Sequence, residues 1–278
     1  METTRSEGPS DAFSSALAYV HFWAAWVFAV VASVTAFTSG LLALFMPRAM
    51  GRHWQYLCGR AWGGSICWFA RCPIEVTHLS DARPLGGFVY MSNHSSTLDI
   101  LALFASLHDT PFVFAAKREL FNWPVIGWHL RLAGFVEVDR QHRDRAVQMY
   151  AKAAQEVRGG RVVALYPEGT RSVDGSVLPF KKGPFVLALE AQVPIVPVAV
   201  DGAQHALRKH TLRLHGHPIR IVVGKPIETK GLTIADRDDL LRRVRLAILE
   251  QHRMAGAGPS TVEPMIAPPG QRSGERES

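Results

Sequence analysis

Hydrophobic and polar positions divide the chain into an apolar N-terminal run and a longer stretch of alternating patterns. Residues 12–47 contain no Asp, Glu, Lys or Arg. A straight helix over residues 16–46 would be about 46 Å long at 1.5 Å per residue, while the hydrocarbon core of a bilayer is about 30 Å thick. The run therefore predicts either a tilted membrane span with a break near Ser39 and Gly40 or a helical hairpin that enters the membrane.

From residue 73 onward, short β-branched apolar runs alternate with segments of helical period. The predicted strands are residues 73–79, 88–92, 112–116, 135–138, 162–167, 195–200 and 219–223. The predicted helices are residues 98–107, 143–157, 184–191 and 236–252. This alternation is typical of an α/β domain in which helices flank a mostly buried mixed β-sheet.

These patterns predict four parts. A polar tail (1–11) precedes a membrane-associated helical segment (12–72), which leads into an α/β domain (73–254). The last part (255–278) is rich in Gly, Pro and Ser, and we expect it to be disordered. Within the second part, residues 54–72 carry Trp and Arg in an amphipathic pattern that suits a helix at the membrane interface. The same pattern equally suits the first core helix of the domain.

The charge distribution favours anionic partners and a cytosolic domain. The net charge is +7 and the pI is near 9.6. No acidic residue lies between Asp11 and Glu75, and the arginines in that interval are Arg48, Arg52, Arg60 and Arg71. Because positive charge marks the cytoplasmic flank of a membrane segment, we expect the protein at the inner (cytoplasmic) membrane with its domain on the cytosolic side. No helix-turn-helix, zinc-finger or RNP-like pattern occurs, so nucleic acid is not an expected partner.

Cysteines and histidines do not show the spacing of a metal site. The three cysteines form no CxxC pair, and a cytosolic domain would keep them reduced. The gaps in the cluster of His205, His210, His215 and His217 do not place ligands on one helix face. We therefore predict no metal.

The stretch NHSSTLD, residues 93–99, sets a histidine and a carboxylate five residues apart. Five residues separate side chains by about 140° on a helix and place them on opposite faces of a strand, so His94 and Asp99 meet only if the backbone bends between them. A predicted strand enters the stretch and a predicted helix leaves it, which supplies such a bend. The alternative is that Ser96 and Asp99 form a capping box and His94 is an ordinary loop residue.

The chain lacks the G-x-S-x-G pattern that presents a nucleophilic serine at a strand–helix turn. Ser95 and Ser96 adjoin His94 in a bend that is poorly suited to in-line attack. A His–Asp pair without its own serine can instead remove the proton from a substrate hydroxyl, while the carboxylate fixes the imidazole tautomer. On this interpretation the substrate supplies the nucleophile.

A second candidate stretch, LYPEGTRS (residues 165–172), follows a predicted buried strand. A glycine there lets the backbone approach a ligand closely, and Arg171 offers a planar fork that suits phosphate. The pattern taken alone also fits an ordinary Gly-Thr turn with a salt-bridged arginine.

Four stretches occur in an order and spacing that resemble the membrane-bound glycerolipid acyltransferases, especially the 1-acyl-glycerol-3-phosphate acyltransferases. They are NHSSTLD, KREL…GWHLRLAGFVEVDR (117–140), YPEGTRS and VPIVPVAV (193–200), and together they cover roughly residues 85–225. The resemblance implies that His94 is the general base and Asp99 its orienting partner. It also implies a glycerol-phosphate wall formed by Glu168, Gly169, Thr170 and Arg171, with further phosphate contacts from Lys117 and Arg140.

The implied reaction moves a fatty acyl group from acyl-CoA or acyl-carrier protein to the free hydroxyl of lysophosphatidic acid, giving phosphatidic acid. It needs no cofactor besides the acyl donor, and the implied partners are membrane lipids, lysophosphatidic acid and that donor. We expect amide groups at the start of helix 98–107 to stabilise the oxyanion. Two alternatives stay open: another acceptor, such as a lyso-ornithine lipid or a different lysophospholipid, and a non-catalytic basic membrane-surface protein.

Overall fold

The computed structural model describes residues 9–81, 84–107, 110–139, 143–211 and 213–256. Its strands are β1 (Ile74–His78), β2 (Phe88–Ser92), β3 (Phe112–Lys117), β4 (Val136–Val138), β5 (Val162–Leu165), β6 (Ile195–Asp201) and β7 (Ile219–Val223). Its helices are α1 (Pro9–Leu41), α2 (Arg48–Phe69), α3 (Leu98–Ser106), α4 (Arg118–Phe121), α5 (Ile126–Ala133), α6 (Arg143–Arg158), α7 (Gly183–Ala191), α8 (Ala203–Ala206) and α9 (Arg237–Met254), with 3-10 turns at Leu42–Phe45 and Ile234–Asp236.

The strands form one mixed sheet in the order β1-β7-β6-β2-β5-β3-β4. The five strands from β6 to β4 run parallel to one another, whereas β7 pairs antiparallel with β6 and parallel with β1. The predicted α/β class with a mixed sheet is confirmed. Because β6, β2, β5 and β3 point the same way, the residues that follow them gather at one edge, where α/β proteins place their ligands.

Alternating side chains of the strands build two separate cores. Phe88 and Tyr90 of β2 face a core shared with α2 and α3, while Val89 and Met91 face a core shared with α6, α7 and α9. All five residues of β2 are buried, because helices cover both faces of a strand whose side chains alternate with period two.

The apolar run forms a single helix and a 3-10 turn and not a hairpin of its own, and it packs beside α2 so that α1 and α2 together make a helical hairpin. Helix α1 ends at Leu41, just after the predicted break, and Pro47 precedes α2, where its fixed φ and missing N–H suit a helix start. Trp54 Nε1 donates to the Ser39 carbonyl and Gln55 Nε2 to the Gly40 carbonyl, each at 2.8 Å. These hydrogen bonds use carbonyls at the end of α1 that have no partner within the helix.

Residues 23–45 are long and apolar enough to cross a membrane by length and composition, and only a small part of that stretch is buried within the protein. The large apolar side chains of α1 that are exposed include Val20, Trp23, Val27, Val30, Val31, Val34 and Leu41. This surface fits a membrane-associated segment, because a soluble helix rarely leaves so much apolar area in water.

Helix α2 packs against α3, which matches the core-helix interpretation of residues 54–72. Tyr56, Ile66 and Cys67 are buried in the core that contains α3. Gly63 permits the close approach, because a Cβ at this position would collide with the Leu101 carbonyl oxygen.

The seven predicted strands and four predicted helices are all present, with bounds within two residues. Helices α4, α5 and α8 were not predicted. They are short, and Pro124 and Gly127 interrupt the period around α4 and α5. The predicted polar tail and disordered tail lie largely outside the described residues.

Candidate active site

His94 and Asp99 lie in the loop between β2 and α3, and their side chains are in contact. The His94 Nδ1 atom is 2.8 Å from Asp99 Oδ2. The strand ends at Ser92 and the helix begins at Leu98, so the chain bends between the two residues as the sequence predicts. Asp99 is fully buried and His94 is 8% exposed, which leaves the imidazole edge within reach of a ligand.

Asp99 also organises the loop that carries the histidine. Its Oδ2 accepts the amide N–H groups of Ser95 at 2.7 Å and Ser96 at 2.8 Å, and Ser96 Oγ accepts the Leu98 amide at 3.2 Å. The Asp99 carboxylate thus pairs with His94 and also makes one half of the predicted capping box, the bond from the Ser96 amide. The other half is absent, because the Asp99 amide donates to the Ser96 carbonyl and not to Ser96 Oγ. These bonds fix the backbone on both sides of the ring.

Most amide groups at the start of α3 already have partners within the loop. The prediction that these amides stabilise the oxyanion is therefore wrong for most of them. The Ser95 and Ser96 amides donate to Asp99, the Leu98 amide donates to Ser96 Oγ, and the amides of Asp99 and Ile100 donate to backbone carbonyls. A donor already satisfied within the loop is not directed at a reacting oxygen.

The 165–172 loop lies directly against the histidine loop. Glu168 Oε1 accepts the His94 amide at 3.2 Å, and the Ser172 amide donates to the His94 carbonyl at 2.8 Å. Gly169 has a φ of 71° and packs against the side chain of Lys181, a conformation that a side chain at this position would strain. The two predicted motifs are thus brought together by the adjacency of β2 and β5.

Glu168 is turned into the protein. It is 2% exposed, and burial raises the pKa of its carboxyl to about 9, although the hydrogen bond from the His94 amide opposes that shift. The side chain is therefore a neutral acid at pH 7 and does not repel an anionic ligand. Its observed contact is with the histidine loop, and the predicted contact with a glycerol phosphate stays a prediction.

The predicted cationic residues occupy different positions. Arg171 donates from Nη1 to Thr97 Oγ1 at 2.9 Å, and its backbone carbonyl accepts Lys209 Nζ at 2.8 Å. Lys117, at the end of β3, is half exposed and pairs with Glu119 at 3.0 Å. Thr170 is exposed, and Arg140 lies outside the described residues. His94, Lys117 and Arg171 line one cavity.

That cavity has a volume of about 1900 Å³. Besides those three residues, its wall includes Tyr166 and many apolar side chains from the hairpin, α3 and β3, among them Phe37, Ile100, Phe104, Phe112 and Phe114. The lining thus combines a few polar groups with an extended apolar surface, which is typical of a site for an amphiphilic ligand.

Two residues at the site were not predicted. Tyr166 stacks on the His94 ring with centroids 3.9 Å apart and planes 14° from parallel. Asn93 joins β2 to β6, because its side chain donates to the Val200 carbonyl and accepts the Val200 amide, both at 2.8 Å. Asn93 belongs to the stretch NHSSTLD and Tyr166 to the stretch LYPEGTRS. Their contacts were not predicted, because they depend on the order of the strands in the sheet.

Among the described residues, no cluster of three or more His, Cys, Asp or Glu side chains is placed to hold a metal ion. In the histidine-rich stretch, the rings of His205 and His217 lie 5.0 Å apart and do not extend to the cavity wall.

The mixed α/β sheet therefore presents a His–Asp pair and an arginine on the wall of a largely apolar cavity, an arrangement suited to an enzyme that activates a hydroxyl group. A family model described as Acyltransferase matches residues 73–201. The chain is 34% identical over 227 residues to a 1-acyl-sn-glycerol-3-phosphate acyltransferase of Limnanthes alba, an alignment that covers 78% of this chain and 77% of that protein. The chain belongs to this acyltransferase family.

Two further comparisons agree. The 1-acyl-sn-glycerol-3-phosphate acyltransferase alpha of Homo sapiens is 37% identical over 181 residues, covering 65% of this chain and 64% of that protein. The crystal structure of the 1-acyl-sn-glycerophosphate (LPA) acyltransferase PlsC from Thermotoga maritima superposes with a TM-score of 0.70 at 23% identity. It covers 88% of this chain and 96% of that one, which shows that the fold is shared.

Proposed function

We propose that the protein transfers a fatty acyl group from an acyl thioester, acyl-CoA or acyl-carrier protein, to the free hydroxyl of 1-acyl-glycerol-3-phosphate. The product is phosphatidic acid. The observation that carries the proposal is the His94–Asp99 contact on the wall of a cavity that Arg171 also lines. The names of the relatives support lysophosphatidic acid as the acceptor.

His94 acts as the general base through Nε2. Because Nδ1 faces the Asp99 carboxylate, it holds the ring proton, and the lone pair of Nε2 is left for the substrate. The hydroxyl gives its proton to Nε2 as its oxygen attacks the thioester carbonyl. The carbon–sulfur bond then breaks, and the imidazolium returns the proton to the departing thiolate. A positioned base of this kind contributes about 10²–10⁴-fold.

Arg171 and Lys117 hold the phosphate of the acceptor, and the role of Arg140 as a further phosphate contact stays a prediction. The guanidinium of Arg171 is fixed at Thr97 Oγ1, three residues beyond the base, so a phosphate bound there places the glycerol hydroxyls near His94. A neutral Glu168 behind the loop avoids a repulsive charge next to the anion. The aromatic and aliphatic wall of the cavity accommodates an acyl chain.

The exposed apolar hairpin places the protein at its lipid substrate. We assign it to the cytoplasmic membrane with the α/β domain on the cytosolic side, where acyl thioesters are present, because the only charged residues close behind the apolar run are arginines. An anionic leaflet also concentrates a basic protein near an anionic acceptor.

The test is acyl transfer to lysophosphatidic acid by the purified protein, with phosphatidic acid measured as product. We expect His94→Ala to reduce turnover by at least about 10²–10⁴-fold while the protein remains folded by circular dichroism. His205→Ala is the matched control, since His205 is an exposed histidine outside the cavity wall. Full turnover in His94→Ala, or no transfer by the parent protein to this acceptor, would overturn the proposal.

A further inference from the structure

The segment from α4 to α5 exposes large apolar side chains although it belongs to the α/β domain. Trp123 is 56% exposed, Val125 is 47% exposed and Trp128 is 64% exposed. Clustered exposed aromatics cost free energy in water, whereas tryptophan is favoured at the boundary between lipid headgroups and acyl chains.

The backbone at Val125 is strained in a way that packing does not explain. Its φ is 65°, a region that β-branched residues rarely adopt, and yet its side chain lies half in solvent. With ψ at −57°, this backbone lies outside the left-handed α region, and glycine is the residue that would relieve the strain. We take a half-exposed apolar side chain on strained backbone as a second sign that this segment has a functional contact.

The α4–α5 segment is continuous with the hairpin. The His129 ring packs edge-on against Phe37 of α1 with centroids 5.0 Å apart, and it lies so close to Gly40 that a Cβ there would collide with it. The turn that follows α1 is itself exposed and apolar, with Leu44 at 63% and Phe45 at 88%. The tryptophans of the segment therefore extend the apolar surface of the hairpin onto the domain.

Three exposed arginines lie on the elements that form this surface, and Glu119 of α4 is paired with Lys117. Arg48 and Arg52 follow the hairpin turn, and Arg131 lies on α5; all three are exposed and line the cavity. Leu44, from the turn, and Trp123, from the α4–α5 segment, line the same cavity. Apolar groups flanked by arginines match a leaflet of anionic phospholipid, in which acyl chains lie beneath a layer of negative charge.

The geometry points to a second membrane contact. The α4–α5 segment, with Trp123, Val125 and Trp128, inserts into the same anionic leaflet as the hairpin turn, so that the cavity between the two contacts opens directly on the lipid. This membrane contact does not rest on the proposed function.

The test compares vesicle binding by the full chain and by the double variant Val125→Gly, Trp128→Gln. Neither residue lines the cavity, and glycine accepts the positive φ. Partition onto vesicles containing phosphatidylglycerol should fall on the order of tenfold in the double variant. Leu246→Gln is the matched control, because Leu246 is 55% exposed on α9, across the sheet from the hairpin, and its partition should equal that of the parent.

Two further readouts make the outcome decisive. Brominated lipid should quench tryptophan fluorescence less in Trp128→Gln than in the parent, and transfer to vesicle-embedded lysophosphatidic acid should fall while transfer to a monomeric short-chain analogue stays unchanged. Unchanged partition and quenching, equal losses in Leu246→Gln, or equal binding to phosphatidylcholine vesicles would overturn the proposed anionic contact. If the parent shows no transfer, the proposed function fails, but binding and quenching still decide the contact.

Discussion

Both faces of the sheet carry a core, but one is packed throughout and the other borders a large cavity. Beneath α7 and α9, Phe185, Leu187, Leu240 and Val244 are fully buried. On the opposite face a cavity of about 1900 Å³ lies among the hairpin, α3, β3 and α5, and aromatic rings form much of its wall. The same strands supply both faces, so the difference comes from the helices that cover them.

The two faces differ in what their packing provides: close packing stabilises the fold, and the cavity leaves room for a ligand. A closely packed face gains dispersion contacts that are missing beside a cavity. Removal of even a few methylene groups from such a face therefore lowers the free energy of unfolding. The face that borders the cavity keeps room for a flexible apolar chain. The site residues lie at the edge where the two faces meet, because they follow the parallel strands β2 and β5.

The largest effect should come from the carboxylate that holds the base. Asp99→Asn places an amide beside His94 Nδ1, which removes the preference for the tautomer with a free Nε2. We expect turnover to fall by about 10³–10⁴-fold, roughly 4–5 kcal/mol of transition-state stabilisation. Steady-state assays with lysophosphatidic acid measure it.

Asp239→Asn, an exposed aspartate on α9, is the matched control and should behave as the parent. Thermal melting must show that Asp99→Asn remains folded, since Asp99 also anchors two loop amides. Retention of turnover in a folded Asp99→Asn protein would mean that the catalytic centre lies elsewhere than on the cavity face.

The next largest effect should distinguish the two faces directly. Phe185→Ala, on the closely packed face, should lower the free energy of unfolding by about 3–5 kcal/mol, because a fully buried ring leaves a cavity. Phe135→Ala, on the cavity wall, should cost roughly 1–2 kcal/mol, since part of that ring already borders the cavity. Urea titration of both variants measures the difference.

The two substitutions should have the opposite order of effect on catalysis: Phe135→Ala should affect it more than Phe185→Ala. Phe185→Ala should keep the parent's turnover per folded molecule, whereas Phe135→Ala should change the preference among acyl chains of different length. Equal destabilisation by the two substitutions would show that the two faces do not differ in packing.

The elements on both faces follow from local pattern. Strand β7 is a short run rich in β-branched residues and β2 is a short apolar run, and both can be identified from residues close in sequence. The His94–Asp99 contact was likewise within reach of sequence reasoning, because it spans five residues and needs one bend. Such contacts depend on the backbone immediately around them.

Contacts across the sheet were not predictable from one sequence. Tyr166 stacks on His94, and Glu168 accepts the His94 amide, only because β5 lies beside β2 in the strand order. No local period encodes that order. The positive φ of Val125 was equally hidden, since a valine is an unfavourable choice for that conformation.

The smallest of the three effects concerns Glu168, which lies between the two faces. Its folded-state pKa of about 9 exceeds the ordinary value of 4.5, so the folded protein binds a proton that the unfolded chain releases between these two pH values. The free energy of unfolding should therefore fall as pH rises through this window, by up to about 1.4 kcal/mol per unit and roughly 3 kcal/mol between pH 5 and 7.

Glu168→Gln, which imitates the neutral acid, should remove this slope in urea titrations at several pH values. Glu190→Gln, an exposed glutamate on α7, should keep the parent's slope. An unchanged slope in Glu168→Gln would show that the buried carboxyl is ionised in the folded protein, and the loop beside His94 would then carry a negative charge.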